Sequence, residues 1–142
     1  MSLNARSNFM LVIAALFFIY AMLWVTAAFP SVNLPARFIL DISDWPMDNL
    51  AAPLDRNTQW LSSISAGLLA GLAVIFGGIV APAIKQRNVS ITRVTIAAMV
   101  VWYVVDSVGS IAAGVVSNVF FNTIYLVATL IPLLGVANAK QG

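Results

Sequence analysis

The sequence predicts an all-α integral membrane protein, a bundle of four transmembrane helices, and three observations carry this prediction. Of the 142 residues, 61% are hydrophobic and 8% are charged, whereas a soluble domain has about 25% charged residues to cover its surface. Four apolar runs are long enough to cross a bilayer, and basic residues flank these runs. Together these features indicate that lipid is the solvent for most of the surface.

Each apolar run has the length that a membrane crossing requires, since about 20 helical residues cross roughly 30 Å of hydrocarbon. The predicted spans are 9–29, 60–84, 94–114 and 119–136. The first run exceeds the length of a signal-peptide core, so we interpret it as a retained helix. Only four residues, 115–118, join the third and fourth runs, and this predicts an antiparallel hairpin of helices.

The distribution of basic residues predicts the orientation of the chain. Five lie on the side that holds both termini and the inner loop 85–93: Arg6, Lys85, Arg87, Arg93 and Lys140. The other side has only Arg37 and Arg56, together with four of the five aspartates. Because cytoplasmic flanks are enriched in Lys and Arg, we expect an N-in/C-in chain with both termini in the cytoplasm.

A 30-residue outer loop, residues 30–59, separates the first and second predicted spans. Its prolines exclude a long helix, although residues 36–41 could form a short turn in the headgroup region. Two interpretations stay open for this loop. It is either a connector that covers the bundle or a docking surface, since long loops in small proteins often have a function.

Small residues predict sites of close helix packing. Ser63, Gly67 and Gly71 follow one another at intervals of four in the second span, and Gly109 and Gly114 lie in the third. In lipid, small residues four apart let two helix backbones approach closely. We expect this packing to occur within the monomer in preference to a dimer face.

The third span contains Asp106, the only charged residue within any of the four runs. It lies about 20 Å from the inner end and about 12 Å from the outer end of its helix. An unpaired carboxylate there costs on the order of 3 kcal/mol, so it needs polar neighbours. We predict an intramembrane polar cluster in the outer half of the bundle, with Tyr20 at a similar depth. The cluster comprises Asp106, Tyr125, Asn122, Ser110 and Ser63.

Two roles are open for this cluster. Polar contacts between helices stabilise their association, and we favour this structural role. The alternative is a site that accepts a proton or binds a cation, because intramembrane acids often mark transport pathways. A polar stripe on the fourth span (Asn118, Asn122, Tyr125 and Thr129) must face the bundle, a partner protein or water.

The absence of three residue types excludes much chemistry. The chain has no Cys, no His and no Glu, and it thus lacks thiolate sites, the usual axial ligands and the usual general base. No phosphate-binding loop or catalytic constellation is present. We therefore expect no enzyme activity, no cofactor and no metal site. The basic residues form no aromatic-rich patch for nucleic acid.

The layout of one helix, a long outer loop and three closely connected helices resembles the small four-helix, DoxX-like proteins of the bacterial inner membrane. Residues 60–71 (WLSSISAGLLAG) and 102–114 (WYVVDSVGSIAAG) carry the resemblance. It implies a multi-pass protein of that membrane and says almost nothing about activity.

Two functions remain after these exclusions. The first is a non-catalytic membrane subunit or assembly factor, whose partners are the lipid bilayer and other membrane subunits or a second copy. The alternative is a small oligomeric transporter or channel that uses Asp106 as its proton or cation site. A scaffold should tolerate Asp106→Asn, whereas a proton-coupled carrier should lose transport.

Overall fold

The computed structural model describes residues 1–137, which form helices and their connections without a strand. The helices are α1 (Leu3–Trp24), continued by a 3-10 turn (Val25–Ala28), α2 (Leu34–Ser43), α3 (Arg56–Ile75), continued by a π-helical turn (Phe76–Val80) into α4 (Ala81–Lys85), α5 (Val89–Ala112) and α6 (Ser117–Ala137). Four of the resulting rods are long and apolar enough to cross a membrane. The prediction of an all-helical chain with four apolar spans is confirmed.

Helix α1 lies at the centre of the bundle and packs against α3, α4 and α6. Its buried residues Met10, Ala14, Phe17 and Ala21 recur at intervals of three and four, which places them on one face. The facing stripe of α3 is built from small residues, among them Ala66 and Ala73. Small side chains on both faces allow the two helices to pack closely along most of their length.

The π-helical turn between α3 and α4 has an identifiable cause. Pro82 has no backbone N–H, and its ring would collide with the carbonyl of Gly78 in a regular helix. The chain widens by one residue instead, and the backbone N–H of Ala81 bonds to the carbonyl of Phe76. Gly77 lies in this turn, where a Cβ atom would be 3.7 Å from the Cβ of Ala14. The wide turn thus still packs against α1.

Helices α5 and α6 form the predicted hairpin. The turn between them contains Gly114 at φ 85°, in the left-handed region that glycine adopts without strain. The amide of Asn118 donates to the Ser110 hydroxyl at 2.9 Å, and the hydroxyls of Tyr103 and Thr123 lie 3.1 Å apart. These side-chain hydrogen bonds link the two helices close to the turn.

The connection between α1 and α3 contains a helix, α2, that is longer than the predicted turn at 36–41. Pro35 lies in its first turn, where a missing N–H costs nothing. Helix α2 packs against the Val25–Ala28 turn, α1 and α6. The hydroxyl of Ser117 donates to the carbonyl of Ser43 at 2.6 Å. We refer to this end of the bundle, with α2 and the α5–α6 turn, as the loop end.

The opposite end, which we call the terminal end, contains the start of α1 and the end of α6. Arg6 donates to the carbonyls of Ile131 and Pro132 at 3.0 and 3.3 Å, and Arg93 donates to the carbonyl of Ala137 at 3.2 Å. A cation near the C-terminal part of a helix interacts favourably with the helix dipole. Lys140, part of the predicted orientation, lies outside the described residues.

The four long helices do not close into a complete ring. Among residues 1–137, α3 makes no contact with α5 or α6, although the π-helical turn and α4 do contact α5. The π-helical turn and α4 therefore meet α5 near the terminal end, whereas α3 itself is separated from α5 toward the loop end. The outward surfaces of the long helices are apolar, including Leu16, Val74 and Val105, and such surfaces are stable in hydrocarbon.

Candidate functional site: a cavity between the helices

A cavity of about 1310 Å³ occupies the space that the separation of α3 and α5 leaves. Helices α1, α3, α5 and α6 form its walls, and α2 with residues 49–58 forms its roof. Leu68 on α3 and Val105 on α5 line the cavity, yet they are 72% and 67% exposed. The cavity is therefore open between these two helices. It exceeds the roughly 300–1,000 Å³ that is typical of small-molecule sites.

One wall of the cavity is aromatic. Phe17, Tyr20 and Trp24 lie on one face of α1 because they are three and four residues apart. The ring centroid of Tyr125, on α6, is 5.8 Å from that of Phe17 and 5.9 Å from that of Tyr20. We call these four residues the aromatic wall. Rings at such spacings interact favourably and form one continuous surface.

The α5 wall carries Asp106. Trp102 precedes it by one helical turn and Ser110 follows it by one turn, and all three line the cavity. The Asp106 carboxylate makes no hydrogen bond or ion pair with residues 1–137. Its side chain is partly exposed to the cavity rather than enclosed by protein. The carboxylate thus faces the cavity without a cationic or hydrogen-bonding partner in the described chain.

Four other lining residues each have a buried polar atom without a partner among the described residues. These atoms are Trp24 Nε1, Arg37 Nε, Asp41 Oδ2 and Asn122 Nδ2. Asn122 is 3% exposed and Asp41 is 5% exposed. A buried polar group that lacks a partner costs about 1–3 kcal/mol. Since these four atoms have almost no accessible surface, a molecule in the cavity could bond to them only after neighbouring side chains moved.

The roof of the cavity has further polar interactions. Arg37 donates to the carbonyl of Leu50, and Asp41 Oδ1 accepts from the backbone N–H of Asn49 at 2.9 Å. Asp55 begins α3, where hydrogen bonds from Thr58 and Asn57 lower the pKa of its carboxyl. These interactions fix α2 and the following segment over the cavity.

The structure brings four residues of the predicted polar cluster to this one cavity: Asp106, Tyr125, Asn122 and Ser110. Tyr20 lines it as well. Ser63 does not, and its hydroxyl donates to the carbonyl of Gln59 in its own helix. Ser65 lines the cavity instead, because α3 packs its Ser62 and Ala66 face against α1 and residues on a helix advance by about 100°.

The residues that predicted close helix packing are also placed differently. Within residues 1–137, a Cβ atom on Gly67, Gly71 or Gly109 would meet nothing within 4 Å. Gly109 lines the cavity and Gly114 forms the α5–α6 turn. The small residues that pack inside the monomer include Ser62, Ala66, Ala73 and Gly77. The motif at 63–71 is rotated away from the bundle because the adjacent alanine stripe is already packed against α1.

Sequence reasoning did not predict the roof residues or the aromatic wall as a unit. The spacing of Phe17, Tyr20 and Trp24 could have predicted part of this wall, since it places three aromatic rings on one helix face. Arg37 and Asp41 are one turn apart, but only the fold of residues 30–55 places them over the cavity. The described residues contain no group of three or more His, Cys, Asp or Glu that could hold a metal ion.

No protein-family model, curated protein or solved structure matches this chain. The resemblance to DoxX-like proteins therefore rests on the layout of the helices, which is compatible with the fold of a small membrane protein.

Proposed function

We propose that this protein is a non-catalytic membrane subunit or assembly factor, and that it binds a transmembrane helix of another subunit through the outward face of α3. The observation that carries this proposal is the glycine face of α3, which Gly67, Gly71 and, in the π-helical turn, Gly78 form. No neighbouring atom of the described chain lies within 4 Å of the Cβ position of any of the three.

The packing of α3 supports this assignment. Of the four long helices, α3 contacts only α1, so most of its circumference is free. Van der Waals packing holds transmembrane helices together, and glycines four apart permit the closest backbone approach. A helix that uses its alanine face within the monomer and keeps its glycine face outward is suited to a second helix partner.

We also propose that the protein lies in the bacterial inner membrane with both termini in the cytoplasm. Arg6, Lys85, Arg87 and Arg93 all belong to the terminal end, as expected for the cytoplasmic side. Asp41 and Asp55 lie at the loop end, which would then face outward. Cysteine accessibility tests this orientation directly, since the chain has no natural Cys.

The test of the subunit proposal is mild extraction of the tagged full-length protein from its native membrane, followed by mass spectrometry. We expect a stoichiometric partner to co-purify with the wild type and to be lost with Gly71→Leu. The matched control is Ala97→Leu, the same kind of change at an exposed position of α5 that does not line the cavity. Recovery of the protein alone, or with itself only, would contradict the proposal for stable complexes.

The Gly71→Leu variant is informative because the monomer has room for the new side chain. Leucine also has a higher helix propensity than glycine, by roughly 0.5–1 kcal/mol. The monomer should therefore fold at least as well as the wild type. Loss of a partner from a correctly folded variant then reports on the face itself.

A second function, a small oligomeric transporter or channel, is favoured by one specific observation: Asp106 faces a large open cavity without a partner in the described chain. Reconstituted Asp106→Asn protein should lose pH-dependent transport if this role is correct. Unchanged transport by the variant would exclude Asp106 as the site, and no transport by the wild type would leave the subunit role as the better explanation.

A further inference from the structure

We propose that the cavity binds a lipophilic organic cation, which enters between α3 and α5 and places its charge beside Asp106. This site is separate from the glycine face of α3 and does not depend on the subunit role. It supplies a ligand class for the transporter alternative, but binding can be measured without transport.

The charges that line the cavity favour a cation. Four aspartates and one arginine contribute to it. Arg37 lies one turn from Asp41 on α2, so this helix contributes one charge of each sign to the lining of the cavity. The Asp55 carboxylate already accepts hydrogen bonds as the N-cap of α3. Asp44 is exposed at the rim of the cavity. Asp106 is the one carboxylate in the depth of the cavity, and no cation of the described chain compensates it.

The aromatic residues favour an organic cation over a metal ion or an inorganic one. The aromatic wall lines the same cavity as Asp106, and Trp102 is one turn away from Asp106 on α5. A cation near the faces of Trp and Tyr rings is attracted by their π electrons, and quaternary ammonium groups are recognised in this way. A metal ion would need several oxygen or nitrogen ligands, which the described residues do not group together.

The open side of the cavity determines how such a ligand reaches Asp106. Leu68 and Leu72 on α3 and Val101 and Val105 on α5 line the cavity where these two helices are separated. An apolar entrance between helices admits a molecule that has already partitioned into lipid. It disfavours small hydrated cations, which would have to lose their water before they entered.

The experiment uses the purified full-length protein in nanodiscs of neutral phosphatidylcholine. Equilibrium dialysis measures binding of tetraphenylphosphonium, with empty nanodiscs subtracted, and tetraphenylborate serves as a probe of similar shape and opposite charge. We expect saturable binding of the cation and none of the anion. Asp106→Asn should weaken binding by about tenfold or more, because one charge pair in a partly buried site is removed. Asp48→Asn, an equal charge change at an exposed loop residue outside the cavity, should leave binding unchanged.

Three results would overturn the proposal: no saturable binding of the cation by the wild type, unchanged binding by Asp106→Asn, or equal binding of the anion. The last would identify an apolar cavity that holds lipid chains without selecting charge. Trp102→Leu provides a second variant that leaves every charge in place, and it should weaken binding through loss of the ring. Binding that depends on Asp106 without any transport would sink the transporter role and leave this site intact.

Discussion

The contact between Arg6 and Gly135 at the terminal end yields a prediction that can be worked out in magnitude. The Arg6 guanidinium lies across α6 and donates to the carbonyls of Ile131 and Pro132. A Cβ atom on Gly135 would collide with all three terminal atoms of that guanidinium. Gly135→Ala should therefore displace the Arg6 side chain and break both hydrogen bonds.

The expected free-energy change is the sum of a loss and a gain. Hydrogen bonds to a charged group contribute about 1.5–3 kcal/mol each when buried, and we take about 1 kcal/mol each here because the site is only partly buried. The loss is then about 2 kcal/mol. Alanine is a better helix former than glycine by about 1 kcal/mol, so Gly135→Ala should destabilise the protein by about 1 kcal/mol. The matched control Gly67→Ala, at an open position, should stabilise it by up to about 1 kcal/mol.

The assay is reversible unfolding in mixed detergent micelles, in which an increasing fraction of SDS denatures the protein. A double-mutant cycle with Arg6→Met isolates the contact, since without the guanidinium Gly135→Ala should become neutral or stabilising. We expect a coupling free energy of about 2 kcal/mol. Equal shifts for Gly135→Ala and Gly67→Ala, or a coupling below about 0.3 kcal/mol, would refute the reasoning.

Two further predictions concern the core and the start of α3. Phe76→Ala removes a fully buried ring that contacts Phe17, and it should destabilise the protein by about 3–5 kcal/mol in the same assay. The control Leu68→Ala, at a 72% exposed position, should destabilise it much less. Equal destabilisation by the two variants would contradict the assignment of the core. Asp55→Ala should lower the thermal stability because α3 loses its N-cap. Since folding lowers the pKa of Asp55 below its ordinary 3.8, its stabilisation is present above that value and is lost as the pH falls through the lowered pKa. Stability of the wild type and of Asp55→Ala should therefore converge in acid, and a constant difference down to the lowest pH would refute the role of the carboxylate.

Much of the fold could be predicted because apolar length and periodicity are local properties. The four spans, the tight α5–α6 turn and the position of the polar α6 residues on one helix face all follow from spacing along the chain. The spacing left open whether this stripe faces the bundle, a partner or water, and the structure places Thr129, which is 0% exposed, and Asn122 inside the bundle. The depth of Asp106 in the membrane likewise follows from its position in the helix, because each helical residue adds 1.5 Å along the axis.

The site could be predicted only in part, because helix rotation depends on which of two similar faces is packed. In α3 the small residues at 63–71 and the alanines at 66 and 73 offer competing faces, and either could meet α1. The structure places Ala66 and Ala73 inside and Gly67 and Gly71 outside. This choice also moved Ser63 out of the predicted cluster and placed Ser65 on the cavity.

By itself, the sequence determined that this chain is helical, suited to lipid and free of cysteine, histidine and glutamate chemistry. Only the tertiary structure decided that α3 and α5 separate, that α2 covers the resulting space and that Asp106 faces an open cavity. The reason is physical. The hydrophobicity of each residue is a local property and determines whether a helix is stable in lipid, whereas a cavity depends on how several helices pack against one another.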